Sequence, residues 1–315
     1  MEYVQLGNTG LEVSRLCFGG LVIGPLQVNL PVEKGADVIV RALDLGINFI
    51  DTADLYDTYS HIREAIKRTG KKPIVASRCY AYTREGAARS LEKARKELDM
   101  DVIDIFGLHE QESRLTLKGH EEALDYFFNA REKGLIKAVG VSTHNIEVVE
   151  ACTEIPEIDV IHPLINITGI GIGDGTIEEM LTAVKKAYDS GKGIYSMKSF
   201  GGGNLLNRFE ECLHFIFSIP YIHSTAVGMQ SEEEVEINVR IFENRYISSE
   251  LMKRIKSIKK KLHIDYWCKG CGKCVKRCKQ KALEIVDGRV KVNYDKCVLC
   301  GYCGSVCPQF AIKMQ

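Results

Sequence analysis

Residues 33–53, EKGADVIVRALDLGINFIDTA, contain the pattern that decides the fold. In residues 33–45 the apolar side chains return at helical spacing, and residues 48–53 form a short apolar run. A helix joined in this way to a buried strand is the repeating unit of an α/β protein. The same alternation continues on both sides of this stretch, so the number of units predicts the architecture.

Short apolar runs rich in Val, Ile and Leu occur eight times, at residues 13–19, 48–53, 73–79, 102–109, 138–143, 160–167, 193–200 and 223–229. Helical patterns stand between them, for example at residues 33–45, 84–98, 120–133, 177–190 and 232–243. The runs lack polar alternation, as expected of parallel strands that are buried on both faces. Eight βα units over roughly 230 residues predict a (β/α)8 TIM barrel.

A doubly wound open sheet is the alternative α/β fold. It is less favoured because no GxGxxG follows the first strand. Ahead of that strand, YVQLGNTGLEV at residues 3–13 predicts a β-hairpin that turns at residues 8–10. This N-terminal hairpin would cap the barrel floor.

A second region carries eight of the 12 cysteines in two runs of the same spacing, C-x2-C-x2-C-x3-C. This is an iron–sulfur spacing in which the fourth cysteine of each run serves the other cluster. Zinc is the alternative, but zinc pairs do not normally extend into a doubled run of four cysteines. The predicted ligands of two [4Fe-4S] clusters are Cys268, Cys271, Cys274 and Cys307 for the first and Cys297, Cys300, Cys303 and Cys278 for the second.

Residues 262–315 resemble the bacterial two-cluster ferredoxin domain over their whole length, including ALEIVDGRVKV at 282–292 and AIKM at 311–314. The resemblance implies a small α+β dicluster domain. We therefore expect a barrel at residues 1–250, a basic helical linker at 251–261 and the dicluster domain at 262–315. The four remaining cysteines lie in strand or helix patterns and are expected to be buried: Cys17, Cys79, Cys152 and Cys212.

The reacting groups of a barrel lie where its strands end at the C-terminal face. Asp51 ends the second predicted strand with Tyr56 just after it, and Arg78 and His109 end the next two. Tyr56 could donate a proton to a carbonyl oxygen, and a nearby cation would stabilise its phenolate because a free tyrosine has a pKa of about 10. Asp51 would hold that cation, and His109 would orient the carbonyl. Taken singly, each could instead be a structural residue.

Candidate cofactor-binding residues follow the later strands. The turn after strand seven and the loop after strand eight are where barrels often place a phosphate. These candidates are Ser142, Asn145, His162, Lys198, Gly201, Gly202, Gly203, Gly228, Met229, Gln230 and Ser231.

Five segments, LGNTGLEVSRLCFG, GINFIDTADLY, DIFGLH, GLIKAVGVSTHN and VGMQSEEEVEIN, resemble the aldo-keto reductase superfamily across residues 1–245. The resemblance implies a barrel that binds a nicotinamide cofactor and carries an Asp/Tyr/Lys/His tetrad. Asp51, Tyr56 and His109 match three members of that tetrad. It also implies that Ser142, with Thr143 or Asn145 behind it, stands for the Ser-Asn pair that holds the nicotinamide amide.

The sequence departs from the family in ways that bear on the chemistry. Arg78 stands at the lysine position, where it supplies charge but stays protonated and cannot relay a proton. Tyr59 is a second candidate acid, and His162 replaces the glutamine of strand six. QSEEEVEIN lacks the arginine that would clamp a 2′-phosphate, which favours NADH or no nicotinamide at all. NAD(P)H and a flavin both stay open as cofactors of the barrel.

These features predict an iron–sulfur oxidoreductase of aldo-keto reductase type. Two clusters would couple electron transfer to carbonyl/alcohol chemistry on a small-molecule substrate. The alternative is an electron-transfer module whose barrel is a non-catalytic docking scaffold. The basic linker could bind a redox partner protein. The simpler interpretation is that its charged side chains face solvent.

Charge and hydropathy limit the other possibilities. Lys+Arg and Asp+Glu both number 42, but residues 253–315 hold 16 basic and 4 acidic side chains. The balanced total argues against a nucleic-acid binder, which usually carries a basic excess. No apolar stretch approaches the roughly 18–20 residues that span a bilayer, and no secretory signal is visible, so we expect a cytoplasmic protein without a membrane partner.

Overall fold

A computed structural model describes residues 1–257 and 260–314 of the chain. Residues 258–259 of the predicted linker and residue 315 of the predicted dicluster domain lie outside the described residues. Eight parallel strands close a barrel in the order β10-β3-β4-β5-β6-β7-β8-β9. The strands are β3 (Leu16–Gly19), β4 (Phe49–Asp51), β5 (Ile74–Cys79), β6 (Ile103–Gln111), β7 (Ile136–Thr143), β8 (Val160–Pro163), β9 (Gly193–Met197) and β10 (Ser224–Gly228).

Helices surround this barrel, as the periodicity predicts. Their apolar faces pack on the strands around a core that includes Phe18, Ile50, Phe106 and Ile161. The helices are α1 (Val32–Asp44), α2 (Tyr59–Thr69), α3 (Arg84–Leu98), α4 (Arg114–Gly119), α5 (Glu121–Glu132), α6 (Ile146–Glu154), α7 (Ile177–Asp189), α8 (Phe209–Phe217), α9 (Glu232–Phe242) and α10 (Ser249–Ser257).

The N-terminal hairpin caps the barrel floor, as predicted. Its strands β1 (Tyr3–Gln5) and β2 (Glu12–Ser14) pair antiparallel. Leu6 and Leu11 from its turn pack with the inward-facing side chains of the barrel, including Phe49 and Ile105. The floor is therefore closed by apolar side chains, which leaves the opposite end open for chemistry.

The predictions for strands six and seven run furthest past the observed C-terminal ends. The prediction for strand six ran to residue 167, but β8 ends at Pro163, and the Asn166 side chain accepts backbone N–H bonds from Thr168 at 3.2 Å and Ile170 at 3.1 Å. The prediction for strand seven ran to residue 200, but Lys198 has a φ of 61°. That left-handed conformation stops the strand.

The dicluster domain is built from two antiparallel pairs and a short helix, α11 (Lys273–Arg277). Strand β11 (Leu262–Ile264) pairs with β14 (Ile312–Met314), and β12 (Leu283–Val286) pairs with β13 (Arg289–Val292). Its interior holds Leu262, Leu283, Val290 and Ile312 together with six of the eight clustered cysteines.

The two cysteine loops share one backbone conformation. Gly270 and Leu299 occupy the same place in the two runs, with φ of 60° and 51°. Gly272 and Gly301 also correspond, with φ of 76° and 77°. The repeated spacing thus produces a repeated fold.

The second cysteine loop packs on the barrel next to Asn204. The Asn204 amide donates to the Gly201 carbonyl at 2.7 Å and to the Ile312 carbonyl at 3.1 Å. A Cβ on Gly304 would overlap the Asn204 side chain. The Met314 N–H donates to the Gly202 carbonyl at 3.0 Å. The dicluster domain therefore covers part of the barrel mouth.

The basic linker lies against the acidic first turn of α9. Arg254 pairs with Glu233, and Lys260 Nζ lies 2.5 Å from Glu234 Oε1. Acidic side chains near a helix N-terminus favour the helix, and the linker cations offset their mutual repulsion. Over residues 1–257 and 260–314, every helix is too short or too polar to traverse a bilayer.

Candidate active site

Asp51 and Arg78 form a buried ion pair at the centre of the barrel mouth. Their strands are adjacent, and Arg78 donates from Nη1 to Asp51 Oδ1 at 2.5 Å and from Nη2 to Asp51 Oδ2 at 2.9 Å. Burial works against charge on Asp51, but the Arg78 guanidinium prevails and holds the pKa of Asp51 below its usual range. The fork of Arg78 matches a carboxylate bidentately, a geometry that lysine cannot reproduce.

Tyr56 is held at its hydroxyl by two side chains. Arg78 Nη2 donates to the phenol oxygen at 3.1 Å, and His109 Nε2 lies 3.4 Å from it. Burial raises the pKa of Tyr56, although the Arg78 charge opposes that shift. Tyr56 is therefore a protonated phenol at neutral pH, which suits a proton donor.

His109 is a neutral ring in this arrangement. Burial lowers its pKa well below the ordinary value, and the charge of Arg78 lowers it further. Tyr80 stacks on the ring with centroids 4.5 Å apart and an interplanar angle of 18°. His109 is thus fixed beside Tyr56 and can exchange one hydrogen bond with the phenol.

Tyr195 joins this centre, and sequence reasoning missed it. Its hydroxyl donates to Asp51 Oδ1 at 3.0 Å, and its ring stacks on His162 with centroids 3.8 Å apart. No local signal marked it, because Tyr195 lies within the apolar run of its strand, three residues before the nearest predicted site residue, Lys198. Tyr195 helps Arg78 fix the Asp51 carboxylate.

His162 is neutral as well. Its Nδ1 lies 2.6 Å from the Tyr195 carbonyl oxygen, which can only accept, so Nδ1 carries the proton. Burial lowers the pKa of His162 to about 3. Its Nε2 lies 3.7 Å from Asp51 Oδ1.

Tyr59, the second candidate acid, is 1% exposed, and its hydroxyl shares a hydrogen bond of 2.7 Å with Ser77 Oγ. It therefore does not face the mouth as an acid.

A cleft of about 470 Å³ opens above Tyr56. The predicted site residues that line it are Asp51, Tyr56, Arg78, His162, Lys198, Gly202, Gly203, Gly228 and Gln230. Lys260, Lys313 and Met314 also line it, although they lie outside the barrel. Sequence reasoning missed these three because no local pattern connects them to the barrel.

The other predicted cofactor residues do not line this cleft: Ser142, Asn145, Gly201, Met229 and Ser231. Ser142 Oγ accepts the Glu110 N–H at 2.8 Å, and the Asn145 amide donates to the Glu112 carbonyl at 2.8 Å. Both side chains are engaged with the neighbouring β6 segment. Their predicted role toward a nicotinamide amide stays a prediction.

The glycine turn after β9 contacts the dicluster domain. A Cβ on Gly203 would overlap the Met314 carbonyl, and one on Gly202 would lie 2.8 Å from the Lys313 side chain. Gly201, Gly202 and Gly203 all have positive φ, between 56° and 86°. The turn allows the two domains to approach closely, and its predicted phosphate-binding role stays a prediction.

The other end of the cleft is lined by Gln230 and Glu234. The Gln230 N–H donates to Glu234 Oε2 at 2.9 Å, and Lys260 pairs with Glu234 Oε1. The linker thus supplies the cation at the end where the resemblance expects the adenosine phosphate.

The eight clustered cysteines stay the predicted ligands of two iron–sulfur clusters, and four of them interact electrostatically in this structure. Burial raises the pKa of Cys274, and the neighbouring thiols of Cys307, Cys268 and Cys271 raise it further. These are the four residues that the spacing assigns to the first cluster. The Ala282 N–H donates to Cys278 Sγ at 3.4 Å, which stabilises sulfur in its thiolate form.

The second loop repeats that sulfur contact. The Ala311 N–H donates to Cys307 Sγ at 3.3 Å. Thiolate sulfur is the donor that [4Fe-4S] clusters take, and hydrogen bonds to it tune their potential. The other four cysteines are buried, as predicted, and burial raises the pKa of Cys152 to about 12.

Comparisons with known proteins agree with both parts of the molecule. The aldo/keto reductase family matches residues 15–214, and a 4Fe-4S dicluster domain matches residues 267–311. The chain is 29% identical over 183 residues to the aldo-keto reductase YhdN of Bacillus subtilis, covering 53% of this chain and 54% of that protein. It is 24% identical over 220 residues to L-galactose dehydrogenase of Arabidopsis thaliana, covering 65% of this chain and 67% of that protein.

The fold has solved counterparts. An aldo-keto reductase from Bacillus halodurans in its holo form superposes with a TM-score of 0.65 at 20% identity, covering 81% of this chain and 95% of that chain. This likeness shows the barrel fold. The matched region spans between about half and two thirds of the length of the two curated relatives, 54% and 67%.

Proposed function

Since the chain belongs to the aldo/keto reductase family and carries a 4Fe-4S dicluster domain, we propose that it is an iron–sulfur oxidoreductase. Its two clusters would couple electron transfer to carbonyl/alcohol chemistry at the barrel mouth. One observation carries the proposal: Tyr56 lines the same cleft as Lys313 and Met314 of the dicluster domain. Such a protein would work in the cytoplasm on a small-molecule substrate.

The proton chemistry follows from the geometry around Tyr56. Its buried phenol would give a proton to the oxygen of a carbonyl substrate, and Arg78 would stabilise the phenolate through its contact at 3.1 Å. Asp51 holds Arg78 in place through both carboxylate oxygens. Because burial keeps Tyr56 protonated, the arrangement favours proton donation over proton removal from an alcohol.

The number of electrons that carbonyl reduction needs matches the number that two clusters can hold. Reduction of a carbonyl to an alcohol consumes two electrons and two protons. Each bound [4Fe-4S] cluster exchanges one electron at a time, so two clusters hold the required pair. A redox partner protein would supply them, and the exposed Cys271 marks an accessible approach to the first loop.

A flavin in the cleft would convert single electrons into a hydride, whereas a nicotinamide would bring the hydride itself. The chain's own residues at the far end of the cleft could hold its adenosine or phosphate portion. Gly228 lines this end of the cleft, and Lys260 offers a cation beside Gln230 and Glu234. Because the barrel loop lacks an arginine and Glu234 is acidic, NADH fits this end better than NADPH.

The test is anaerobic reconstitution of the full chain with iron and sulfide. Ultraviolet–visible spectra would report the clusters and any bound flavin. Titrations with NADH, NADPH and FMN, followed by turnover of carbonyl substrates, would measure the barrel chemistry. We expect Tyr56→Phe to lower kcat at least about 100-fold, since a positioned general acid contributes that much. Unchanged turnover in Tyr56→Phe would contradict the proposal.

A second candidate function is an electron-transfer module whose barrel is a docking scaffold. The observation that favours it is the engagement of Ser142 and Asn145 with the backbone of residues 110 and 112. If the titrations detect no nicotinamide or flavin and the clusters still reduce, the scaffold accounts better for the chain.

A further inference from the structure

Two lysines from different domains reach the cleft, one half-buried and one buried. Lys198 follows β9 of the barrel, and Lys313 lies in β14 of the dicluster domain. Both line the cleft, and Lys313 is 6% exposed. The catalytic arrangement around Tyr56 uses neither of them.

The other cations of the cleft are already neutralised. Arg78 is paired with Asp51, and Lys260 is paired with Glu234. Asp51 and Glu234 are the acidic side chains among the described residues that line the cleft. Among the described residues that line the cleft, Lys198 and Lys313 therefore have no carboxylate partner.

The neighbours of the Lys313 ammonium stabilise its charge only weakly. Its Nζ lies over the Phe310 ring, 3.4 Å from the centroid, and bonds the Phe310 carbonyl. The nearest carboxylate oxygen belongs to Asp265, at 3.7 Å, and the other oxygen of Asp265 faces His263 at 3.2 Å. Burial, together with the charge of Lys198, lowers the pKa of Lys313 to about 7.

Lys198 has a neutral partner. Its Nζ donates to His144 Nε2 at 2.5 Å, and His144 Nδ1 faces Glu110 Oε1 at 3.0 Å. Burial lowers the pKa of His144 to about 4, so this ring carries no charge at neutral pH. The Glu110 carboxylate also accepts from the Tyr80 hydroxyl at 3.0 Å. Its charge is thus shared with other donors.

A poorly paired ammonium that is largely shielded from water is costly, and a second cation in the same cleft adds repulsion. An oxyanion between them would relieve both costs with charge-assisted hydrogen bonds. The site also adjoins the reacting groups, because Lys198 and Lys313 line the same cleft as Tyr56 and Arg78.

We infer that Lys198 and Lys313 form an oxyanion-binding subsite that the two domains build together. Its ligand is a carboxylate next to the reacting carbonyl or the phosphate of a flavin mononucleotide. The inference rests on the proposed function, because it names the charge class of the ligand in that same cleft. It gives the dicluster domain a direct part in ligand binding, besides electron transfer.

The experiment uses the reconstituted full chain and two matched ligand pairs. FMN and riboflavin differ by a phosphate, and phenylglyoxylate and its methyl ester differ by a carboxylate charge. Calorimetry or flavin fluorescence would measure the affinity of each. We expect the anionic member of at least one pair to bind about tenfold more tightly or better, as for a charged hydrogen bond. The pair that is discriminated identifies the source of the oxyanion.

The variants test the two lysines separately. Lys313→Gln and Lys198→Gln should each abolish the preference for the anionic member, whereas Lys313→Arg should retain it. Lys291→Gln is the matched control, because Lys291 is an exposed lysine of the same domain. Cluster absorption would verify loading in each variant. If Lys313→Gln fails to load, Lys198→Gln and Lys313→Arg decide the outcome.

Two results would overturn the inference: a wild-type chain that discriminates neither pair, or Lys→Gln variants that discriminate as the wild type does. Tyr56→Phe separates this inference from the proposed function. It should keep the anion preference while it loses turnover. Unchanged turnover in Tyr56→Phe would remove Tyr56 as the proton donor but leave the subsite standing.

Discussion

The barrel and the dicluster domain are filled by different kinds of side chain. The barrel region holds two apolar clusters, one with Phe106 and Ile161 and one with Phe49, and these side chains are fully buried. The interior of the dicluster domain is small, and cysteines make up much of it. An apolar core stabilises a fold by itself, whereas a ligand-lined interior depends on what it binds. The two regions should therefore respond differently to the same perturbation.

Iron removal should have the largest effect. Anaerobic chelation of the reconstituted chain should unfold residues 262–314 and leave the barrel folded, because metal binding free energy is folding free energy in small metal domains. Hydrogen exchange, resolved by peptide, would measure it: protection should vanish in β11–β14 and persist in β3–β10. Equal loss of protection in both regions would contradict the contrast.

The centre of the barrel should be the next most sensitive place. Arg78→Met leaves the Asp51 carboxylate buried and unpaired, so we expect the free energy of unfolding of the barrel to fall by about 3–5 kcal/mol. Urea unfolding would measure the loss. Arg63→Met, at an exposed arginine, is the control and should change stability by less than about 0.5 kcal/mol. A small effect of Arg78→Met would show that the pair is not needed for the fold.

The contact between the two regions should be of intermediate strength. Gly304→Val places a side chain against Asn204, so we expect about 1–3 kcal/mol of destabilised docking and faster proteolysis of the linker. The first loop offers a matched comparison, because Val275 stands at the place of Gly304 and α11 tolerates it. Linker cleavage as slow as in the wild type would show that the domains accommodate the side chain.

Acid should have the smallest effect in this series. Unfolded His162 has an ordinary pKa of about 6.5, whereas burial holds its folded pKa at about 3. Its neutral form therefore contributes stability above about pH 6.5, and that contribution is lost as pH falls toward about 3. Between about pH 6.5 and 5.5 the wild type should lose about 1 kcal/mol more than His162→Gln. Parallel urea-unfolding curves for the two proteins would refute this assignment.

Local patterns predicted the elements of both regions, and they missed how the regions meet. Eight apolar runs and two cysteine runs are signals within a few residues of one another. The contact of Asn204 with Ile312, across 108 positions, leaves no such signal. The sequence around Lys313 likewise gives no sign that its side chain lines the barrel cleft. One hint was the opposite net charge of the two regions. Lys260 of the linker pairs with Glu234 of the barrel, as these opposite charges favour.

The strand pair β11–β14 gives the barrel cleft an unusual vulnerability. Lys313 and Met314 form part of the cleft wall, yet they belong to the region that depends on its clusters. Oxygen that destroys a cluster would thus remove a wall of the cleft without touching a barrel residue. A chain that had lost its iron would keep Tyr56, Asp51 and Arg78 in place and expose them to bulk water.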